Sequence, residues 1–154
     1  MIPKIAFITS RCDHFNLKLF ELLSQKYEIH FYFTVGGENY RIKENSAQIG
    51  NFKFYNLKNY RLFGKFDFVP GLFKLLFRKY DVFIKTIDGK FALPVTFFIS
   101  RIKRVPLIFW TGLWNHPQTF FHKISFGITQ YIYKACEANL VYGEHIKQYL
   151  ISSY

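Results

Sequence analysis

The chain has 154 residues, half of them hydrophobic and 20% charged, which is one domain's worth of sequence and excludes intrinsic disorder. Twenty Phe and eleven Tyr supply ample material for a packed core. The formal net charge is +11, and no apolar run approaches the ~20 residues that span a bilayer.

Lys4-Ile-Ala-Phe-Ile-Thr9 reads as a buried strand entering a polar turn, Ser10 to Asp13. Its apolar run, Ile5 to Ile8, is too short for a signal-peptide core and has no small-residue cleavage site. From His14 to Gln25, apolar residues at Phe15, Leu17, Leu19, Phe20, Leu22 and Leu23 have the spacing of a core-facing helix, with Asp13 placed as its N-cap. Glu28 to Thr34 is rich in β-formers and predicts a second strand, broken by Val35-Gly-Gly-Glu-Asn39. A polar loop is expected over 40–50, and Phe52 to Asn56 alternates like a strand. Residues 69–79 suit a helix, 80–85 a strand, 92–103 a helix with Pro94 in its first turn, and 106–111 a strand. A loop over 112–119, a helix to about Cys136, a strand over 138–142 and a helix over 143–150 complete the chain.

Repeated strand–helix alternation with strands apolar on both faces predicts a single α/β domain. Its sheet is open and parallel, covered by helices on both faces and joined by right-handed crossovers. Ligands of such sheets bind outside the carboxyl ends of the strands. The functional candidates are therefore the residues just after each strand.

The charge is concentrated. Residues 58–104 hold eleven Lys/Arg against Asp67, Asp81 and Asp88, together with nine Phe. Basic residues interleaved with aromatics suit an anionic membrane surface or nucleic acid, and they equally suit a solvated basic face over an aromatic core. No zinc finger, aromatic RNA-binding signature or recognition-helix pattern is present, so nucleic acid is not expected. Cys12 and Cys136 fit neither a metal spacing nor a disulfide framework, and no pair of histidines has metal-ligand spacing. A reduced cytoplasmic protein without metal is expected.

The turn after the first strand, Ser10-Arg11-Cys12-Asp13-His14, has no glycine, so the dinucleotide fingerprint is missing. Arg11 beside a helix N-terminus could hold an anionic group or be a solvated surface arginine. After the strand over 80–85, Asp88 could bind sugar hydroxyls or act as a base, although an Asp-Gly pair also simply makes a turn. The loop Gly112-Leu-Trp114-Asn-His116-Pro117 is the richest in chemistry. His116 can take a proton near neutral pH, and Trp114 offers a face for a sugar ring or lipid, while His-Pro also serves as a helix-entry turn. His30, His122 and His145 suit structural roles within their elements, and Glu144 suits the first turn of the last helix. No serine sits in a nucleophile elbow.

Four segments in this order and spacing resemble the N-terminal half of a retaining family 4 glycosyltransferase of GT-B fold. They are Lys4–Thr9, Tyr80-Asp-Val-Phe-Ile84, Pro106-Leu-Ile-Phe-Trp110 with its His loop, and Ala138-Asn-Leu-Val-Tyr-Gly-Glu-His-Ile-Lys-Gln-Tyr-Leu150. The last is the most specific. The resemblance implies a Rossmann-like, three-layer α/β/α domain over 1–154 that holds the acceptor. A second Rossmann-like domain or subunit, absent before Tyr154, would grip a nucleotide-sugar, used as co-substrate with no other cofactor. It implies a hexosyltransferase type of activity, inactive without that donor-binding domain, on a lipid-linked or cell-envelope glycan acceptor. On the composition of 58–104, the expectation is a protein at the cytoplasmic face of a membrane, with this basic aromatic third docked on anionic lipid. His116 is similar in location to a cleft histidine of such enzymes, and Arg11 and His14 fall where relatives line the acceptor pocket or approach the donor phosphates. With Asp88 and Trp114, the candidates from the strand ends, they are the expected acceptor contacts. The glycine-free first turn departs from the family pattern and counts against direct phosphate contact there. The alternative reading is a non-catalytic, flavodoxin-like module that recruits a partner or an anionic membrane.

Overall fold

The computed structural model describes residues 2–10, 17–35, 52–62, 66–112 and 120–153. Six strands, β1 (Lys4–Thr9), β2 (Glu28–Phe33), β3 (Phe52–Asn56), β6 (Val82–Thr86), β7 (Leu107–Thr111) and β8 (Ala138–Val141), form one sheet in the order β3-β2-β1-β6-β7-β8. Every neighbouring pair in it is parallel. The helices between them are α1 (Leu17–Ser24), α2 (Lys74–Phe77), α3 (Ala92–Lys103), α4 (Phe120–Ala135) and α5 (Glu144–Ser153).

Alternation along the strands sorts the core into two layers. Ile5, Phe7, Ile29, Phe31, Phe33 and Trp110 meet Phe20 of α1 on one face. Ala6, Ile8, Tyr32, Phe83, Leu107 and Phe109 meet Leu72, Leu75, Leu93, Phe97 and Ile132 on the other. Both faces of β1 and β2 are therefore buried, which is why these strands read as continuous apolar runs. The expected three-layer, Rossmann-like architecture is the one found.

The differences are local. The helix expected over 69–79 is a 3-10 turn, Pro70–Phe73, running into the single turn of α2. Pro70 lacks an amide hydrogen, Leu72 N–H bonds back to Val69 C=O (3.2 Å), and Arg78 is already extended. β6 starts at Val82 because Asp81 is tied to the head of β1: its backbone N–H donates to Lys4 C=O (2.8 Å) and its carboxylate accepts the Lys4 N–H (2.7 Å). An antiparallel hairpin of β4 (Tyr60–Leu62) and β5 (Phe66–Phe68) was not legible, since three residues are too few for a period to register. The final helix extends to Ser153, three residues beyond the reading.

A candidate functional site at the switch point of the sheet

The strand order reverses between β1 and β6. From β1 the chain steps outward through β2 to β3, then returns to the opposite side of β1 and continues through β6, β7 and β8. Helix α1 follows β1 onto one face, and α3 follows β6 onto the other. The segments leaving β1 and β6 thus diverge and leave a crevice at their carboxyl ends, where open α/β sheets take their ligands.

Asp88 stands at that crevice, anchored from below by Lys85. Lys85 is wholly buried, a rare state for lysine, and its ammonium is fully used. It donates to the Thr86 carbonyl (2.6 Å), the Asp88 carbonyl (2.7 Å) and Asp88 Oδ1 (3.2 Å). The Thr86 hydroxyl donates to the same Oδ1. Burial by itself raises the Asp88 pKa, but the Lys85 charge and hydrogen bonds from Thr86, Ser10 and Lys85 outweigh it and hold the carboxyl below its ordinary value. Burial pushes the Lys85 ammonium down, opposed by Asp88. The outcome is an ionised carboxylate, fixed in place, whose Oδ2 is buried and has no hydrogen-bond partner among the described residues. Gly89 makes the turn possible: its φ of 84° suits a residue without Cβ, and its carbonyl accepts Leu93 N–H (3.0 Å) to open α3.

One strand along, β7 ends at buried Thr111, whose hydroxyl accepts the Tyr133 O–H (2.8 Å). Burial pushes the Tyr133 phenol up to about 12. Gly112 follows, and a Cβ there would meet the Tyr142 ring at 3.0 Å, so Tyr142 lies against the backbone at the end of β7. Its ring also packs on Trp110 (5.4 Å between centroids) while 59% of the residue stays exposed. The described strand ends therefore combine buried, mutually bonded hydroxyls, the Asp88 carboxylate with one buried oxygen unpaired, and the exposed aromatic face of Tyr142. Sugars are bound by this chemistry, with hydroxyls on carboxylates and ring faces on aromatics.

Of the residues nominated from sequence, Asp88 lies at the switch point; Arg11, His14, Trp114 and His116 lie outside the described residues. Lys85 and Tyr142 were missed. A lysine inside an apolar strand was the signal for the first, and an aromatic closing a strand before glycine was the signal for the second.

His30 is structural, as expected: it is buried, with Nδ1 against Tyr80 Oη (2.8 Å) and Nε2 against Glu28 Oε1 (3.0 Å). Burial lowers its pKa, opposed by the Glu28 hydrogen bond. Glu144 opens α5 and bonds Gln148 (2.8 Å) and Lys147 (3.3 Å), the structural role its position implied. Among the described residues, no cluster of three or more His, Cys, Asp or Glu could hold a metal ion. No described helix is long and apolar enough to cross a membrane.

No protein-family model and no curated protein sequence matches the chain. Among solved structures it is similar to Anabaena Alr3699/HepE, crystallised with UDP and glucose. The TM-score is 0.64 and the identity 18%, over 98% of this chain and 41% of HepE. The chain thus spans well under half of that protein. Weaker likenesses are to the phenylacrylic acid decarboxylase of Aquifex aeolicus (TM-score 0.49, 11% identity, 99% of this chain and 94% of that one) and to the calicheamicin glycosyltransferase CalG4 (TM-score 0.47, 11% identity, 99% and 40%). The HepE comparison establishes a shared fold, a Rossmann-like α/β domain.

Proposed function

We propose that the chain is the acceptor-binding domain of a glycosyltransferase. A donor-binding domain or subunit would present a nucleotide-sugar across the crevice, and a lipid-linked or cell-envelope glycan would receive the sugar. The observation that carries this reading is the ionised Asp88, held at the topological switch point by a buried lysine, with its second carboxylate oxygen buried and without a partner among the described residues. Support also comes from the fold shared with HepE, a protein that was crystallised with UDP and glucose. In this reading Asp88 accepts an acceptor hydroxyl, and Tyr142 offers the sugar an apolar face. The family resemblance adds His116 as the cleft residue, with Arg11, His14 and Trp114 as further acceptor contacts. Retention of anomeric configuration belongs to the same proposal, in which His116 positions the sugar rather than abstracting a proton.

The test is a titration of isotopically labelled chain with oligosaccharides and, separately, with UDP. Saccharides are expected to shift the amide resonances of Ser10, Thr86, Asp88 and Gly112, with Asp88→Asn and Tyr142→Ala each weakening the response about tenfold. UDP alone is expected to leave these resonances in place, because the donor site is assigned to another domain. Saccharide binding that is indifferent to both substitutions would sink the assignment, as would no response to any saccharide.

A further inference from the structure

The helical layer on the α3 side leaves large apolar side chains in water. Phe98 and Ile102, one turn apart on α3, are 62% and 72% exposed; Ile128 and Tyr131, three apart on α4, are 55% and 64% exposed. The buried Phe97 ring joins the two pairs, with its centroid 6.0 Å from Phe98 and 5.8 Å from Tyr131. Phe77 at the end of α2 is 88% exposed. Lys103 bonds the carbonyl of the neighbouring Leu76 (2.8 Å), which brings the end of α2 to the end of α3.

Cations surround this apolar face. Lys74 precedes Phe77 by one turn and Lys79 follows it; Arg101, Lys103 and Arg104 close α3; Lys134 follows Tyr131 by one turn. The nearby carboxylate, Glu137, is taken up by Arg101 (2.5 Å) and by the backbone N–H of Leu107 (2.6 Å). Asp81 is bound to the Lys4 backbone. The face is thus apolar at its centre and positive at its border. Helices that return from a parallel strand run antiparallel to it, so the C-terminal half of α3 sits away from the crevice and leaves the rim open.

We infer that this α2–α3–α4 face docks on an anionic lipid bilayer. A bilayer interface accepts aromatic and aliphatic side chains at headgroup depth and attracts Lys and Arg, so one partner answers both features. A protein–protein interface also has an apolar core and a polar rim, but a border of one sign would require a matching acidic partner surface. Single-stranded nucleic acid would need stacking platforms where Ile102 and Ile128 stand. The inference goes beyond the acceptor-domain reading and is tested without sugar or donor, so either can fail alone.

The experiment is co-sedimentation of the full chain with vesicles of phosphatidylcholine alone, and with vesicles in which about a third of the lipid is phosphatidylglycerol. The anionic vesicles are expected to bind at least about tenfold more tightly, with the difference shrinking as salt rises. Phe98→Ser/Ile102→Ser is expected to weaken binding about tenfold, and Lys74→Gln/Lys79→Gln to weaken it and flatten its salt dependence. Circular dichroism should match wild type, because all four side chains are solvent-exposed; Phe77→Ser gives an independent reading should the double variant misfold. Undiminished binding by the apolar variants overturns the inference. So does a dimer that Phe98→Ser/Ile102→Ser converts to monomer with vesicle binding intact, or tighter retention by single-stranded RNA than by anionic vesicles.

Discussion

Lys85→Met tests the core of the switch-point argument. Met fills a similar volume, so packing changes little. What is lost is the ammonium that serves the Thr86 carbonyl at 2.6 Å, the Asp88 carbonyl at 2.7 Å and Asp88 Oδ1 at 3.2 Å. Removing one member of a buried charge pair costs about 3–5 kcal/mol. The Asp88 side chain is 26% exposed and keeps its Thr86 hydroxyl bond, so the lower end applies, about 3 kcal/mol. For a domain of this size that lowers Tm by about 6–12 °C. Urea unfolding of wild type, Lys85→Met, Asp88→Asn and the double variant should give a coupling of about 2 kcal/mol between the two sites. If Lys85→Met unfolds within about 1 kcal/mol of wild type, or the two substitutions simply add, the lysine does not hold the loop and the reasoning fails.

Four further outcomes follow from the same geometry. Asp88 titrates lower in the fold than in the unfolded chain. Its contribution to stability is therefore complete above the ordinary carboxylate range and is lost as pH falls through its folded value; urea midpoints of wild type and Asp88→Asn should converge between about pH 6 and about pH 3. Gly89→Ala must adopt a φ of 84° with its Cβ 3.0 Å from that of Ala92, and should cost about 1–2 kcal/mol in the same assay. Burial raises the phenols of Tyr32, Tyr80 and Tyr133, the last to about 12, so ultraviolet titration should show these three ionising at higher pH in the folded chain than in the unfolded chain. Tyr80→Phe removes the hydroxyl between His30 Nδ1 (2.8 Å) and Tyr32 Oη (2.6 Å), and should cost about 1–2 kcal/mol by thermal unfolding.

How much of this was legible beforehand depends on the range over which each feature is encoded. The strands at Lys4–Thr9 and Glu28–Phe33 could be read because both their faces are buried, and unbroken apolarity records that within six residues. Helix α3 could be read because its buried residues, Leu93, Thr96, Phe97 and Ser100 among them, repeat with the helical period. Those two local signals, and the alternation between them, determined the fold class and pointed to the strand ends as the functional edge. Neighbour relations are of another kind. That β1 lies between β2 and β6 follows from backbone pairing across dozens of residues, and no local window carries its energy. Only that pairing makes the crevice and brings Ser10 to Asp88. The same holds for Lys85, which in the sequence is one polar residue interrupting a strand. Its burial becomes intelligible when the loop folds back and supplies three oxygen acceptors within reach of a single ammonium. Tyr142 likewise finds Gly112 only because β8 pairs with β7, and a glycine there has no side chain to keep the ring away.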